Sequence, residues 1–211
     1  MKADATATGM AAGTAAQMAA SDLPDLLAGW LGHAPHVLTG QAELAASWID
    51  TPLGGMVCVT DPDRMHLLEF TDRRALPTEM RRLSKAAHGR IGLGRTAMTD
   101  RVESQLAAYF AKENRGFDLA LAQHGTPFQR LVWAELMRIP MGETLSYSEL
   151  ARRMGRADAT RAIARANGAN QIAVVIPCHR LLGADGALTG YGGGLWRKEA
   201  LLRHEGSRSP I

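Results

Sequence analysis

The run Val174-Val175-Ile176 ends in Pro177-Cys178-His179-Arg180 before Leu181-Leu182, and this junction constrains the chain more than any other stretch. A short, apolar, β-branched run reads as a buried strand, and polar groups at the end of a core strand must be paired or in use. Pro177 fixes the local backbone and holds Ile176 extended. Cys178 therefore ends the run instead of sitting inside it, where it can reach a cleft, and His179 and Arg180 both favour a thiolate. An arbitrary cysteine is more often a buried structural residue; the electropositive neighbours set this one apart. In a regular strand Cys178 and His179 face opposite ways, so either the chain turns at Pro177 or a water relays the proton between them. A base of this kind needs an orienting partner. Glu205, in "LLRHEG" at the end of a C-terminal helix, is available, although alone it reads as a solvated charge.

The rest of the composition narrows the class. At 211 residues and 46% hydrophobic, the chain can bury a proper core. Its two cysteines are too few for a disulfide framework, and Cys58, among Met56, Val57 and Val59, reads as a small hydrophobe, which points to a reducing, cytoplasmic setting. The N-terminus lacks a continuous apolar leader, and no stretch reaches the roughly 18 to 20 apolar residues of a membrane span. The seven histidines and Cys58 show no metal-ligand spacing, so neither a metal nor another cofactor is expected. Residues 1–124 carry 12 Lys+Arg against 14 Asp+Glu, and residues 125–211 carry 12 against 7. The C-terminal half is thus the basic one, which favours an anionic partner weakly.

Periodicity divides the chain into three parts. Residues 1–46 hold a flexible Ala-rich arm and a short helix capped by Ser21, with Pro24 in its first turn, an apolar face of Leu26, Leu27, Trp30 and Leu31, and an end near Gly32. Residues 47–124 begin with strands flanking the turn Asp61-Pro62-Asp63-Arg64, a β-hairpin signature. Helices over 77–88 and 99–113 follow, the second capped by Thr99 and presenting Val102, Leu106, Tyr109 and Phe110, and then a short strand over Phe117 to Leu121. Gly125-Thr126-Pro127 is a joint from which a helix runs to about Arg138, and residues 125–211 form the last part. There, Ser146 and Glu149 make a capping box, Leu150, Ala151 and Met154 an apolar face, Gly155 a turn, and Asp158 to Asn167 a second helix. Two short helices about a glycine turn have the pattern of a helix-turn-helix, which any αα-corner shares. The second helix bears small residues (Ala159, Ala162, Ala164, Ala166, Gly168) that let another backbone approach, with Arg161 and Arg165 on one face; the alternative is a packing face with two solvated arginines. Gly190-Tyr191-Gly192-Gly193-Gly194 is a loop that can bring backbone and an aromatic ring against a ligand.

Three blocks, "GTPFQRLVWAELMRIPMGETLSYSELARRMG", "RAIARANGANQIAVVIPCHRLL" and "GALTGYGGGLWRKEALLRHEG", together resemble the signature blocks of the O6-alkylguanine-DNA alkyltransferase family, the methylated-DNA-protein-cysteine methyltransferases. The likeness runs from about Gly125 to Gly206 and, more loosely, back to "DTPLGG" at residue 50. It implies an α/β N-terminal domain, a small antiparallel sheet with helices of ribonuclease H-like form, followed by a mostly helical C-terminal domain with a helix-turn-helix. By resemblance, Cys178 is the alkyl acceptor, His179 activates it through a water, and Glu205 orients the histidine. Tyr147 assists the departing guanine, Asn170 links the helix pair to the active-site strand, and Arg161 fills the gap left in the duplex. Ala159, Ala162, Arg165 and Gly168 would lie against the DNA minor groove, and Tyr191, Gly192, Val174 and Pro177 about the base pocket. The implied partner is double-stranded DNA containing O6-alkylguanine, with no membrane and no obligate protein partner. Gly192 stands where some relatives have a small hydroxyl residue, and Asp158 where a lysine is common.

The implied chemistry is self-contained. The damaged nucleotide is flipped from the stack, a thiolate displaces the alkyl carbon from O6, and no group in the set can hydrolyse the resulting thioether, so each molecule acts once. Two other classes compete: a thiol hydrolase using Cys178 and His179, which would turn over, and a non-enzymatic binder or regulator of alkylated DNA. Relatives of the latter kind lack the nucleophile, and Cys178 argues against that class.

Overall fold

The computed structural model describes residues 18–35, 38, 44–114 and 116–207, so most of the expected N-terminal arm lies outside the described residues. Helix α1 spans Leu23–Leu31 with Pro24 in its first turn, and Gly32 closes it at φ 81° as a left-handed C-cap. Ser21 does not cap it: that residue belongs to a 3-10 turn, Ala20–Asp22, and Asp22 holds the cap position without a side-chain bond.

Four strands, β1 (Leu44–Ile49), β2 (Met56–Thr60), β3 (Met65–Phe70) and β4 (Ile91–Leu93), form a sheet in the order β3-β2-β1-β4. The β2–β3 hairpin turns at the expected residues, and β1–β2 is also antiparallel, but β4 adds parallel to β1, so the sheet is mixed. The chain between β3 and β4 passes through helix α2 (Leu76–Ala86), and such a crossover permits a parallel return where a tight turn would not. Side chains alternate across the sheet: Met56, Cys58, Leu68 and Phe70 enter one core cluster, and Val57, Val59, Leu67 and Trp48 the other. Leu27, Trp30, Met80 and Leu83 of α1 and α2 cover the second face. Helix α3 (Ala97–Phe110) covers the first with Val102, Leu106 and Tyr109. Cys58 is wholly buried between these layers, and burial pushes its thiol up to about 12. The α3 cap is Thr96, whose hydroxyl accepts from the Thr99 amide at 3.2 Å; Thr99 sits inside the first turn, its hydroxyl accepting from the Thr96 amide at 3.2 Å, and the Thr60 hydroxyl lies 2.8 Å from both. Over residues 117–121 the expected strand reduces to a single bridge between Met65 and Leu121.

In the C-terminal half, α4 (Pro127–Met137) starts at the predicted Thr126 cap, and α5 (Tyr147–Arg153) at the Ser146–Glu149 capping box. Helix α6 (Thr160–Gly168) follows a 3-10 turn over Ala157–Ala159, so it begins two residues later than expected. Two-residue strands β5 (Leu145–Ser146) and β6 (Leu181–Leu182) pair in parallel, and α7 spans Leu195–His204. One core cluster runs from the sheet through Val132, Trp133, Leu136, Ile163 and Leu201. No described helix is long and apolar enough to cross a membrane.

The main departure lies at the opening run. Residues 172–176 are buried but form no strand; Val174 is left-handed at φ 70°, a conformation that β-branched residues rarely adopt. Turns close the backbone instead, from Val175 N to Ala173 O at 2.8 Å and from Ile176 N to Ile172 O at 3.0 Å. Ile172 makes a single parallel bridge to Leu68 of β3, whose carbonyl accepts from Ala173 N at 2.7 Å, and the Asn170 amide supplies further partners. Its Oδ1 accepts from Ile172 N at 3.0 Å, and its Nδ2 donates to Ile176 O at 3.0 Å. Apolar composition demands burial of this run, and a side chain outside it meets the backbone demand that a ladder would otherwise meet.

The Trp133 indole donates to Ala166 O at 2.8 Å and ties α4 to α6 inside the core. Trp133→Phe leaves that carbonyl only the longer bond from Ala169 N at 3.3 Å and opens space in the core, and is expected to lower unfolding free energy by roughly 1 to 3 kcal/mol. Urea denaturation checks this as a lower midpoint at unchanged slope.

Candidate active site

Pro177, at φ −80° and ψ 60°, occupies an inverse γ-turn closed by Cys178 N donating to Ile176 O at 2.7 Å. A single 3-10 turn, Cys178–Arg180, follows. The nucleophile candidate thus stands on a turn, and the opposite-face geometry of a strand does not apply to Cys178 and His179. Asn170 Nδ2, besides holding the preceding backbone, lies 3.1 Å from Cys178 Sγ and donates to it. Burial pushes the Cys178 thiol up to about 11, against the pull of the Asn170 hydrogen bond.

Glu205 is not a surface charge. It follows the last turn of α7 with its side chain wholly buried, and donors converge on its carboxylate: His179 Nε2 at 2.9 Å, Tyr109 Oη at 2.8 Å, Arg180 Nε at 2.9 Å and Arg180 Nη2 at 2.8 Å. Burial alone would raise its pKa, but the His179 and Arg180 hydrogen bonds outweigh it and hold the carboxyl far below the ordinary range. With the Nε2 proton committed to the carboxylate, the His179 lone pair sits on Nδ1. That nitrogen is buried and unpartnered among the described residues. Burial is also the first cause lowering the His179 pKa, so the ring is neutral and able to accept a proton.

Cys178, Asn170, Gly168, Tyr191 and Gly192 line one pocket under the glycine-rich loop. The Tyr191 ring stands edge-on to His179, centroids 6.4 Å apart, and its hydroxyl is buried without a partner among the described residues. Tyr147 begins α5 near this pocket, its hydroxyl accepting from Asn167 Nδ2 at 3.5 Å. Arg161, Arg165 and Gly168 are exposed on α6, with Ala159 and Ala162 half-buried beside them. Val174 and Pro177 are not brought to the pocket: Val174 is in the core, Pro177 lines a separate cavity with Val175 and Arg180, and Ala173 takes the pocket position.

Several polar groups escaped the sequence. Tyr109 read only as the apolar face of α3, yet its hydroxyl reaches Glu205 across 96 positions. Lys198 is buried, donating to Leu181 O and to Thr189 O at 2.6 Å, and burial depresses its pKa to about 8. Arg197 donates to Leu53 O at 2.8 Å and to Asp72, and stacks over Phe70 at 4.2 Å. Arg73 and Glu69, from the end of β3 and the segment after it, line the pocket itself. None has a local sequence signal that sets it apart from other aromatic or charged residues.

Removing the Glu205 charge strands Arg180 in the interior, so Glu205→Gln is expected to cost about 3 to 5 kcal/mol at neutral pH. A carboxyl depressed by folding contributes stability that is present above its ordinary value of 4.5 and is lost as pH falls through the folded value. The deficit of the variant is therefore largest above pH 4.5 and shrinks in acid, which denaturant titrations at a series of pH values will read.

Comparison with known proteins agrees with this geometry. A sequence profile described as "6-O-methylguanine DNA methyltransferase, DNA binding domain" matches residues 127–207. The methylated-DNA–protein-cysteine methyltransferase of Mycobacterium tuberculosis is 56% identical over 106 residues, 50% of this chain and 64% of that protein, so the matched segment spans under two thirds of that relative's length. The enzyme of that name from Salmonella typhimurium is 44% identical over 162 residues, 75% of this chain and 93% of that protein. In three dimensions, the crystal structure of Mycobacterium tuberculosis OGT in complex with DNA superposes with a TM-score of 0.67 at 38% identity, covering 81% of this chain and 96% of that one. With near-complete coverage of one relative at that identity, and Cys178, His179 and Glu205 gathered as described, the chain belongs to the methylated-DNA–protein-cysteine methyltransferase family.

Proposed function

We propose that this chain repairs O6-alkylguanine in duplex DNA by irreversible transfer of the alkyl group to its own Cys178. The observation that carries this reading is the buried sequence of contacts beneath the Tyr191 loop: Asn170 on the Cys178 sulfur, and Glu205 on His179 with the opposite ring nitrogen free of partners among the described residues. A thiol pushed up to about 11 is almost wholly protonated at neutral pH and needs a base. Glu205 keeps the His179 proton on Nε2, and Nδ1 takes the Cys178 proton through a water. The sulfur then forms a bond to the alkyl carbon as the carbon–O6 bond breaks, its electron pair passing to guanine. The proton taken from the thiol returns to the departing base, which Tyr147 assists. Arg180 and Tyr109 act on Glu205 and not on substrate. The reaction balances without a cofactor, and the product is a thioether that none of these groups can hydrolyse.

The DNA side of the reading rests on α5 and α6 as a helix-turn-helix. Small residues Ala159, Ala162 and Gly168 permit close approach to the minor groove, Arg165 meets phosphate, and Arg161 takes the space of the extruded nucleotide. Exposure of Arg161, Arg165 and Gly168 on one helix supports this, as does the DNA complex of the Mycobacterium tuberculosis relative. In the same reading, residues 125–211 are the DNA-binding and active-site unit, residues 47–124 are a ribonuclease H-like α/β unit, and the protein works in the cytoplasm.

Excess duplex carrying O6-methylguanine is expected to add one methyl group, about 14 Da by bond arithmetic, to the Cys178 peptide and none to Cys58. Intact-mass and peptide mass spectrometry check it, and repeated turnover by one molecule contradicts it. Arg161→Ala is expected to slow repair in duplex DNA far more than reaction with free O6-benzylguanine; equal losses on both substrates would remove its role in flipping.

A further inference from the structure

Arg73 lies just past β3, and its side chain is buried, only 5% exposed. A guanidinium has five N–H donors, and four are engaged here. Nη1 donates to a carboxylate oxygen of Glu69 and, at 2.6 Å, to Asn170 O. Nη2 donates to Gly168 O at 3.0 Å and pairs with Glu79 Oε1 at 3.0 Å. The fifth donor, Nε–H, is buried and without a partner among the described residues. It borders the pocket that holds Cys178, and it faces bare backbone: a Cβ built on Gly192 would stand 2.8 Å from Nε.

A fully buried, charged donor left unpaired is unfavourable unless something arrives to use it. The other four bonds hold the guanidinium rigidly against the end of α6 and the Asn170 backbone, so Nε cannot turn away. Its position is therefore prearranged, the condition under which a donor stabilises developing charge most effectively.

We propose that Arg73 is a further catalytic residue: its Nε–H donates to a ring nitrogen, N3 or N7, of the flipped guanine and stabilises that ring as it leaves. The inference rests on the alkyl-transfer reading given above. As the S–C bond forms and the carbon–O6 bond breaks, the electron pair delocalises over the guanine ring until the proton taken from Cys178 returns to it. Arg73 stays protonated throughout and acts as a donor, not as an acid. Gly192 lacks a side chain because the guanidinium and the base need that space.

The test combines protein and substrate changes. Arg73→Lys keeps the charge and removes Nε–H, along with part of the donor fork to Glu69, Glu79 and the Gly168 and Asn170 carbonyls. It is expected to slow transfer from O6-methylguanine DNA by roughly 10- to 100-fold, in the range of a lost charge-stabilising donor. The loss should vanish on either the 3-deaza or the 7-deaza analogue, whichever lacks the acceptor used. Reaction of Cys178 with iodoacetamide, which has no guanine leaving group, should be unchanged. Gly192→Ala, whose Cβ would stand 2.8 Å from Nε and 3.1 Å from the guanidinium carbon, should show the same dependence on the same analogue, and it carries the test if Arg73→Lys fails to fold. Equal losses on guanine and both deaza substrates, or a parallel loss toward iodoacetamide, overturn the proposal and leave Arg73 a structural tie. Failure of the unaltered protein to alkylate Cys178 with any of these DNAs would instead overturn the alkyl-transfer reading itself.

Discussion

The arrangement depends on one carboxylate in the protein interior. Glu205 gathers His179, Arg180 and Tyr109, which come from the 3-10 turn after Pro177 and from α3. Without its cation, a charge at this depth would be expelled or neutralised. With Arg180 at 2.8 Å it stays ionised, and only as an ion does it hold the imidazole in one tautomer. The same residue therefore serves two ends that are hard to separate, the tie between α7 and α3 and the fixing of the His179 ring. Arg180, adjacent to a cysteine and histidine in sequence, belongs to the carboxylate and not to the thiol.

Asn170 plays the matching part on the sulfur side. An apolar run that could pair as a strand is folded into turns, with Val174 held in a left-handed conformation. Such backbone persists only where its surroundings over-determine it, and here the Asn170 amide bonds three backbone groups within the run, at Ile172 and Ile176, while also reaching Cys178 Sγ. The turn lifts Cys178 out of a pleated geometry that would have separated it from its neighbour. Backbone support and the contact to the Cys178 sulfur thus come from one side chain.

The N-terminal half does more than carry the C-terminal one. Arg73 bonds to the carbonyls of Gly168 and Asn170 across more than 90 positions of sequence, and Arg197 on α7 returns to Leu53 O and Asp72. Arg197 also packs its guanidinium on Phe70, so its aliphatic stem and charge are both used. These ties set the wall of the pocket and the root of the glycine-rich loop. Two acidic side chains, Glu69 and Glu79, share Arg73, and burial pushes Glu69 up to about 8 despite that partner.

Local rules account for what the sequence alone determined. The helices from Pro127 and Tyr147 begin where a hydroxyl and a Gln or Glu three residues later satisfy free amides, a relation contained within four residues. The β2–β3 hairpin follows from a turn composition between alternating runs, and Cys178, His179 and Glu205 were legible as a set because family-like blocks surround them. Tertiary structure decided what depends on distant partners. Residues 172–176 carry the same apolar signal as a strand, but beyond a single bridge from Ile172 to Leu68 of β3 they are held as turns, with the Asn170 amide as a partner. Thr99 could cap α3 by composition, but it is the third residue of a capping box whose cap is Thr96, and Thr60 lies 2.8 Å from both hydroxyls. Glu205 as a buried ion, Tyr109 as its donor and Arg73 as a wall of the pocket leave no periodic trace, since a charged residue in sequence is the same letter whether water or another side chain solvates it.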